Sequence, residues 1–129
     1  MSTFKRRISL LLVLCLVLSV APVTVHAASG GKCGENLTWT LSDDGVLTIS
    51  GTGPMKDYTS YNTIPWHGNK SSIYSVIIEN SVTTIGDYAF FDCDSLSSVT
   101  IGNSVTTIGF DAFRRCDRLR SVKFRGDAP

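Results

Sequence analysis

Beyond residue 27 the chain holds one histidine, His67, and three cysteines, Cys33, Cys93 and Cys116. Thiol and imidazole are the pieces of a nucleophilic site, but such a site also needs a third group to orient the base. No nucleophile elbow or orienting partner accompanies them. Cys93 and Cys116 occupy one position of a repeated unit, where a thiol acts as interior packing. These residues therefore predict no enzyme and no catalytic residue. They also lack zinc spacing, since no C-x-x-C is present. Asp43-Asp44-Gly45 lacks the ligand spacing of a calcium loop and reads as a turn. Asp94 and Asp117 each follow a repeat cysteine and suit hydrogen bonds within a turn. The expectation is no metal and no cofactor.

Charge is the more informative feature. Arg114, Arg115, Arg118, Arg120, Lys123 and Arg125 lie within twelve residues, opposed only by Asp117. Residues 28–113 carry three basic and nine acidic groups, a net charge of −6. Such a cluster reads first as a solvated face on variable repeat positions, and otherwise as a binding surface for anionic glycans or anionic proteins. Nucleic acid is not expected, because no aromatic stacking set accompanies the charge. Arg125-Gly126-Asp127 spells a tripeptide read by integrins, although three residues are a weak signal.

Something must position these side chains. The chain has 129 residues, enough for one small domain. Residues 1–27 read as a signal peptide: Lys5, Arg6 and Arg7, then an apolar run from Ile8 to Val20, then Pro22 and a small residue, Ala27. That run is 13 residues long, and crossing a bilayer takes about 20. A secreted or cell-surface protein follows, with no membrane span after cleavage. The remaining three cysteines cannot all pair within one chain; reduced, buried thiols are expected.

The rest of the chain repeats. Residues 78–100 and 101–123 are identical at fifteen of 23 positions. Ile73, Leu96 and Leu119 are equivalent, as are Val76, Val99 and Val122, then Ile78, Ile101 and Phe124. Val and Ile two apart share one face of a strand. Strands are predicted at 75–78, 98–101 and 121–124, with the three valines in one buried column. Gly86 and Gly109 are expected to permit a bend, and Ala89-Phe90 and Ala112-Phe113 a short helical turn that places a ring inside. One 23-residue unit cannot bury its own apolar set, whereas stacked units can. The fold class is mainly β: a short solenoid of stacked parallel strands. Its N-terminal end is covered by a β-hairpin cap, because 37–41 and 46–50 alternate around Ser42-Asp43-Asp44-Gly45. Residues 55–72 read as a polar link carrying Trp66.

The unit resembles the BspA-like leucine-rich repeat, L-x-x-V-x-I-x-x-S-V-T-x-I-G-x-x-A-F-x-x-C, over residues 73–124. Residues 33–66 resemble the segment that precedes such repeats, through C-G-x-N-L-T-W-T-L-x-x-D-G-x-L-T-I-S-G-T-G-x-M and Pro65-Trp66. A proline often precedes N-S-V in this family, where the chain has Glu79 and Gly102; that is a loop change. The resemblance implies a secreted or surface-displayed bacterial protein that binds host matrix proteins or other cells. The division expected is a signal peptide at 1–27, an N-terminal β cap and link at 28–72, and an incomplete repeat array at 73–129. The function expected is a non-enzymatic binding module for an unidentified protein or glycan, host extracellular matrix among the candidates, in adhesion or host interaction. The alternative is a structural spacer or an N-terminal fragment of a longer surface-displayed repeat protein. An open C-terminal coil would permit self-association.

Overall fold

The computed structural model describes residues 29–126. Its strands are β1 (Ser29–Gly34), β2 (Leu37–Leu41), β3 (Val46–Gly51), β4 (Gly53–Pro54), β5 (Ser75–Ile78), β6 (Val82–Ile85), β7 (Ser98–Ile101), β8 (Thr107–Ile108) and β9 (Ser121–Phe124). They form a six-stranded sheet in the order β1-β2-β3-β5-β7-β9 and a three-stranded sheet in the order β4-β6-β8. β1 is antiparallel to β2, and β2 to β3. From β3 onward every neighbour is parallel.

The register explains the repeat. Val76 pairs with Val99 and Val99 with Val122; Ile78 pairs with Ile101 and Ile101 with Phe124. The hairpin continues both columns, because Leu47 pairs with Val76 and Ile49 with Ile78. Trp39 and Leu41 then pair with Ile49 and Leu47. Period-2 alternation sends these residues to one face, and from Trp39 to Ile101 all are buried. Each such aliphatic side chain contributes about 1.5–3 kcal/mol relative to exposure. The last members differ. Val122 and Phe124 are 47% and 44% exposed, because no further strand among the described residues covers β9.

A second column is aromatic. Trp66 stacks on Phe90 with ring centroids 5.4 Å apart, and Phe90 on Phe113 at 5.2 Å. Trp39 meets Trp66 edge-on at 5.6 Å. The Trp66 indole Nε1 donates to the Ala89 carbonyl oxygen at 2.9 Å. The segment read as a polar link therefore enters the core, through buried Met55, Tyr58, Ile64 and Trp66. It follows the path of a coil: β4 pairs in parallel with β6, and the Lys56 amide donates to the Cys33 carbonyl at 2.9 Å. Two short 3-10 segments, Tyr61–Thr63 and His67–Ser72, lead back to β5.

The turns after Ile85 and Ile108 are not helical. Instead, the amides of Tyr88, Phe90 and Asp92 donate to the carbonyls of Phe110, Ala112 and Arg114 in the next coil at 2.7–2.9 Å. Carboxylates extend this ladder: Asp57 accepts from the Asp87 amide at 2.9 Å, and Asp87 from the Phe110 amide at 2.7 Å. Gly86 and Gly109 have ordinary backbone angles, so a bend is not their role. They are small because coils touch there. A Cβ on Gly86 would collide with the Lys56 carbonyl oxygen, and one on Gly109 would lie 2.5 Å from the Asp87 amide nitrogen.

The unusual backbone angles fall elsewhere, at Tyr88, Asp92, Asp111 and Arg115, with φ of 59°, 62°, 54° and 64°. They are two pairs of equivalents one repeat apart, so stacking enforces a left-handed conformation that costs a side-chain-bearing residue about 1–2 kcal/mol. Among the described residues Arg115 makes only an exposed pair with Asp92 at 3.8 Å, worth about 0–1 kcal/mol. Arg115→Gly is therefore expected to stabilise the chain by about 1 kcal/mol, read as a higher urea midpoint at unchanged slope. A lower midpoint would show that Arg115 holds the turn through its side chain.

Candidate functional site

The six basic residues do not form one patch. Arg114 and Arg115 sit in the turn after Phe113, Arg118 and Arg120 precede β9, Lys123 lies within it, and Arg125 follows it. A four-residue strand is about 13 Å long, which separates Arg120 from Arg125. Lys123 pairs with Thr100, one step from the buried column, so alternation turns it to the outer face. Arg114 Nη1 donates to Asp111 at 3.1 Å and Arg125 Nη1 to Glu79 at 3.1 Å. Arg118, Arg120 and Lys123 are exposed and have no acidic partner among the described residues. In the Arg125-Gly126-Asp127 tripeptide the arginine is engaged by Glu79, and Asp127 lies outside the described residues. So does the leader at 1–27.

The thiols and the histidine are not brought into one constellation. Cys93 is buried, and burial pushes its thiol up to about 12, with Cys116 and nearby carboxylates adding to the shift and Lys70 opposing it. Cys33 is buried at the irregularity where β1 loses register with β2, and burial pushes it up to about 12. Cys116 is only half-buried, against the expectation of a fully buried ladder, because no coil among the described residues covers it. Burial still raises it, to about 11, and its Sγ donates to the Phe90 carbonyl at 3.1 Å. Three neutral thiols make poor nucleophiles at pH 7. His67 stacks on Tyr61 instead, at 5.3 Å and 10° between planes. Among the described residues, no three His, Cys, Asp or Glu side chains converge on a metal-sized site, and no helix is long and apolar enough to cross a membrane.

The most developed surface feature was not anticipated from sequence. Tyr61 stacks on Phe91 at 5.0 Å, Phe91 meets Tyr88 edge-on at 5.9 Å, and Tyr88 meets Phe110 at 5.7 Å. With His67 these rings form a strip across successive coils. Tyr61 is 50% and Phe110 65% exposed. Beside the strip is an open cleft of about 400 Å³, lined by Thr59, Ser60, Tyr61, Tyr88, Phe91 and Arg114. A second cleft of about 630 Å³ lies where β1 meets the segment after β4, between Lys32, Glu35 and Lys56. The signal for the strip was present: Tyr88, Phe91 and Phe110 are aromatic at positions where the two repeats differ.

Repeated coils, their ladders of buried Leu, Val, Ile and Phe, and variable outward positions match one known pattern. The family model for the BspA type leucine-rich repeat region matches residues 67–128. Residues 67–128 are BspA-type leucine-rich repeats. The chain is similar in structure to a leucine-rich repeat protein from Eubacterium ventriosum, with 37% identity over 77% of this chain and a TM-score of 0.73. It spans only 26% of that protein's chain. A leucine rich cell surface protein from Faecalibacterium prausnitzii is 23% identical over 75% of this chain and 32% of its own, with a TM-score of 0.45. No curated protein matches the sequence. The BspA-type repeats of this chain present residues of three kinds: buried ladder, backbone-pairing turn, and outward variable position.

Proposed function

We propose that this chain is a secreted or cell-surface, non-enzymatic binding module for a protein or glycan partner in adhesion or host interaction. The division follows the sequence reading: a signal peptide at 1–27, a cap and link at 28–72, and a short leucine-rich-repeat solenoid at 73–129. Support for the cap comes from the hairpin's pairing of β3 with β5, which covers an edge that would otherwise template association. Support for the leader comes from its basic, apolar and small-residue order.

One observation carries the binding reading. Arg118, Arg120 and Lys123 stand exposed and unpaired among the described residues, on an otherwise acidic chain. Their side chains take no part in the buried ladder, so the fold does not need their charge. An anionic surface, sulfated glycan or acidic protein, is the complementary partner. The expected result is salt-sensitive retention of residues 28–129 on immobilised heparin and on host matrix proteins. Arg118→Glu/Arg120→Glu/Lys123→Glu should lower retention at least about tenfold, since reversing three rim charges acts mainly on electrostatic attraction. Retention unchanged by the triple variant would remove these three residues from the function.

A second reading is a spacer, or an N-terminal segment of a longer surface-displayed array. The observation favouring it is the exposed edge formed by Val122, Phe124 and Ile108, a surface shaped for another coil or for a second copy.

A further inference from the structure

We propose that the cleft beside the aromatic strip binds a carboxylate-bearing saccharide. This site is distinct from Arg118, Arg120 and Lys123, and the inference stands if those three residues bind nothing. The cleft lies in the lower part of the size range of small-molecule sites, about 300–1,000 Å³, and its lining is unusual for a packing defect. Four of its six residues carry hydroxyls, namely Thr59, Ser60, Tyr61 and Tyr88. Phe91 is buried against Tyr61 and Tyr88, which fixes the aromatic rings that border the cleft. Hydroxyls held on fixed aromatic residues match a sugar, which presents hydroxyl donors and acceptors around its ring.

Charge narrows the ligand. Among the described residues, Arg114 is the one charged residue lining the cleft. Its side chain is 63% exposed, and Nη1 donates to Asp111 at 3.1 Å. A guanidinium has five N–H donors, so the Asp111 contact leaves a fork able to receive a carboxylate in two parallel hydrogen bonds. Tyr61 is held between His67 and Phe91, so its hydroxyl is presented without further loss of ring freedom. A proline-rich peptide also favours aromatic grooves, but it supplies neither the hydroxyl-rich rim nor the carboxylate that this lining complements.

The test titrates residues 28–129 with sialyllactose and with digalacturonate, using lactose as the neutral control, followed by ligand-observed NMR. At least one acidic sugar is expected to bind about tenfold or more tightly than lactose, the factor that one charge-assisted hydrogen bond supplies; which one binds identifies the source. Arg114→Gln should erase the preference, Arg114→Lys should retain part of it, and Tyr61→Ala should weaken binding of the acidic sugar. The Arg118/Arg120/Lys123 triple variant should leave the affinity unchanged, which separates this site from those three residues. Thermal melts of each variant establish that the fold is kept. Equal binding of acidic and neutral sugars, binding unaffected by Arg114→Gln, or a cleft that takes a proline-rich peptide and neither acidic sugar would overturn the proposal.

Discussion

Trp66→Ala is expected to destabilise the chain by about 3–5 kcal/mol, the usual cost of emptying a buried Trp or Phe position. That is a large share of the roughly 5–15 kcal/mol that a small domain has in total. Trp66 is fully buried. It touches Trp39 of the hairpin, Tyr58 of the following segment and Phe90 of the first regular repeat. Its loss would therefore leave a void where the antiparallel hairpin joins the parallel stack. It would also remove the hydrogen bond from the indole nitrogen to the Ala89 carbonyl. Trp66→Phe keeps a ring in the column and loses chiefly that bond, so a cost of about 1–2 kcal/mol is expected. Urea unfolding monitored by far-ultraviolet circular dichroism separates the two. A Trp66→Ala cost below about 1 kcal/mol would mean that the hairpin and the repeats are not one cooperative unit.

The second large effect is alkaline unfolding. Burial raises Cys33 and Cys93 to about 12 and Cys116 to about 11, all from about 9 in the unfolded chain. Tyr58 is raised in the same direction by its burial and by Cys33. The folded state therefore keeps protons that the unfolded state releases. Stability is complete below pH 9 and falls as pH rises from 9 towards the folded values. In that window each thiol removes about 1.4 kcal/mol per pH unit, with Cys116 counting for less because it is half-exposed. Melting temperature should be level from pH 7 to 8.5 and drop steeply by pH 11. Cys33→Ala/Cys93→Ala should flatten that drop. A wild-type curve that stays level to pH 11 would show that the thiols ionise freely in the folded chain.

These two expectations rest on residues of different legibility. Cys93 was readable as an interior residue, because the 23-residue spacing repeats it at Cys116 with Leu96, Val99 and Ile101 following in step. Trp66 was not readable as a member of the Phe column. It precedes Phe90 by 24 residues, and the first coil is 29 residues long at β3–β5, so the periodicity that exposes the other columns fails there. The additional residues pass through 55–65, whose Met55, Tyr58 and Ile64 show no alternation yet are buried.

The amino-acid sequence by itself determined the stack. Identical apolar residues at a fixed interval can be buried only against their own copies, and backbone pairing at about 4.8 Å then sets parallel strands with like on like. It also determined the hairpin, since alternation on both sides of Asp44-Gly45 leaves one apolar face. Tertiary structure decided the rest. β1, with the sequence SGGKCG, has no apolar pattern; it is a strand because β2 offers an unpaired edge, and backbone hydrogen bonds carry no side-chain signature. Arg125 meets Glu79 across 46 residues because coils stack and bring the loops beyond their strands together. The aromatic strip arises in the same way. Tyr61, Phe91, Tyr88 and Phe110 are unrelated by any sequence period, and they meet because turns at one edge of the stack, each locked to the next by amide-to-carbonyl bonds, hold their variable positions side by side.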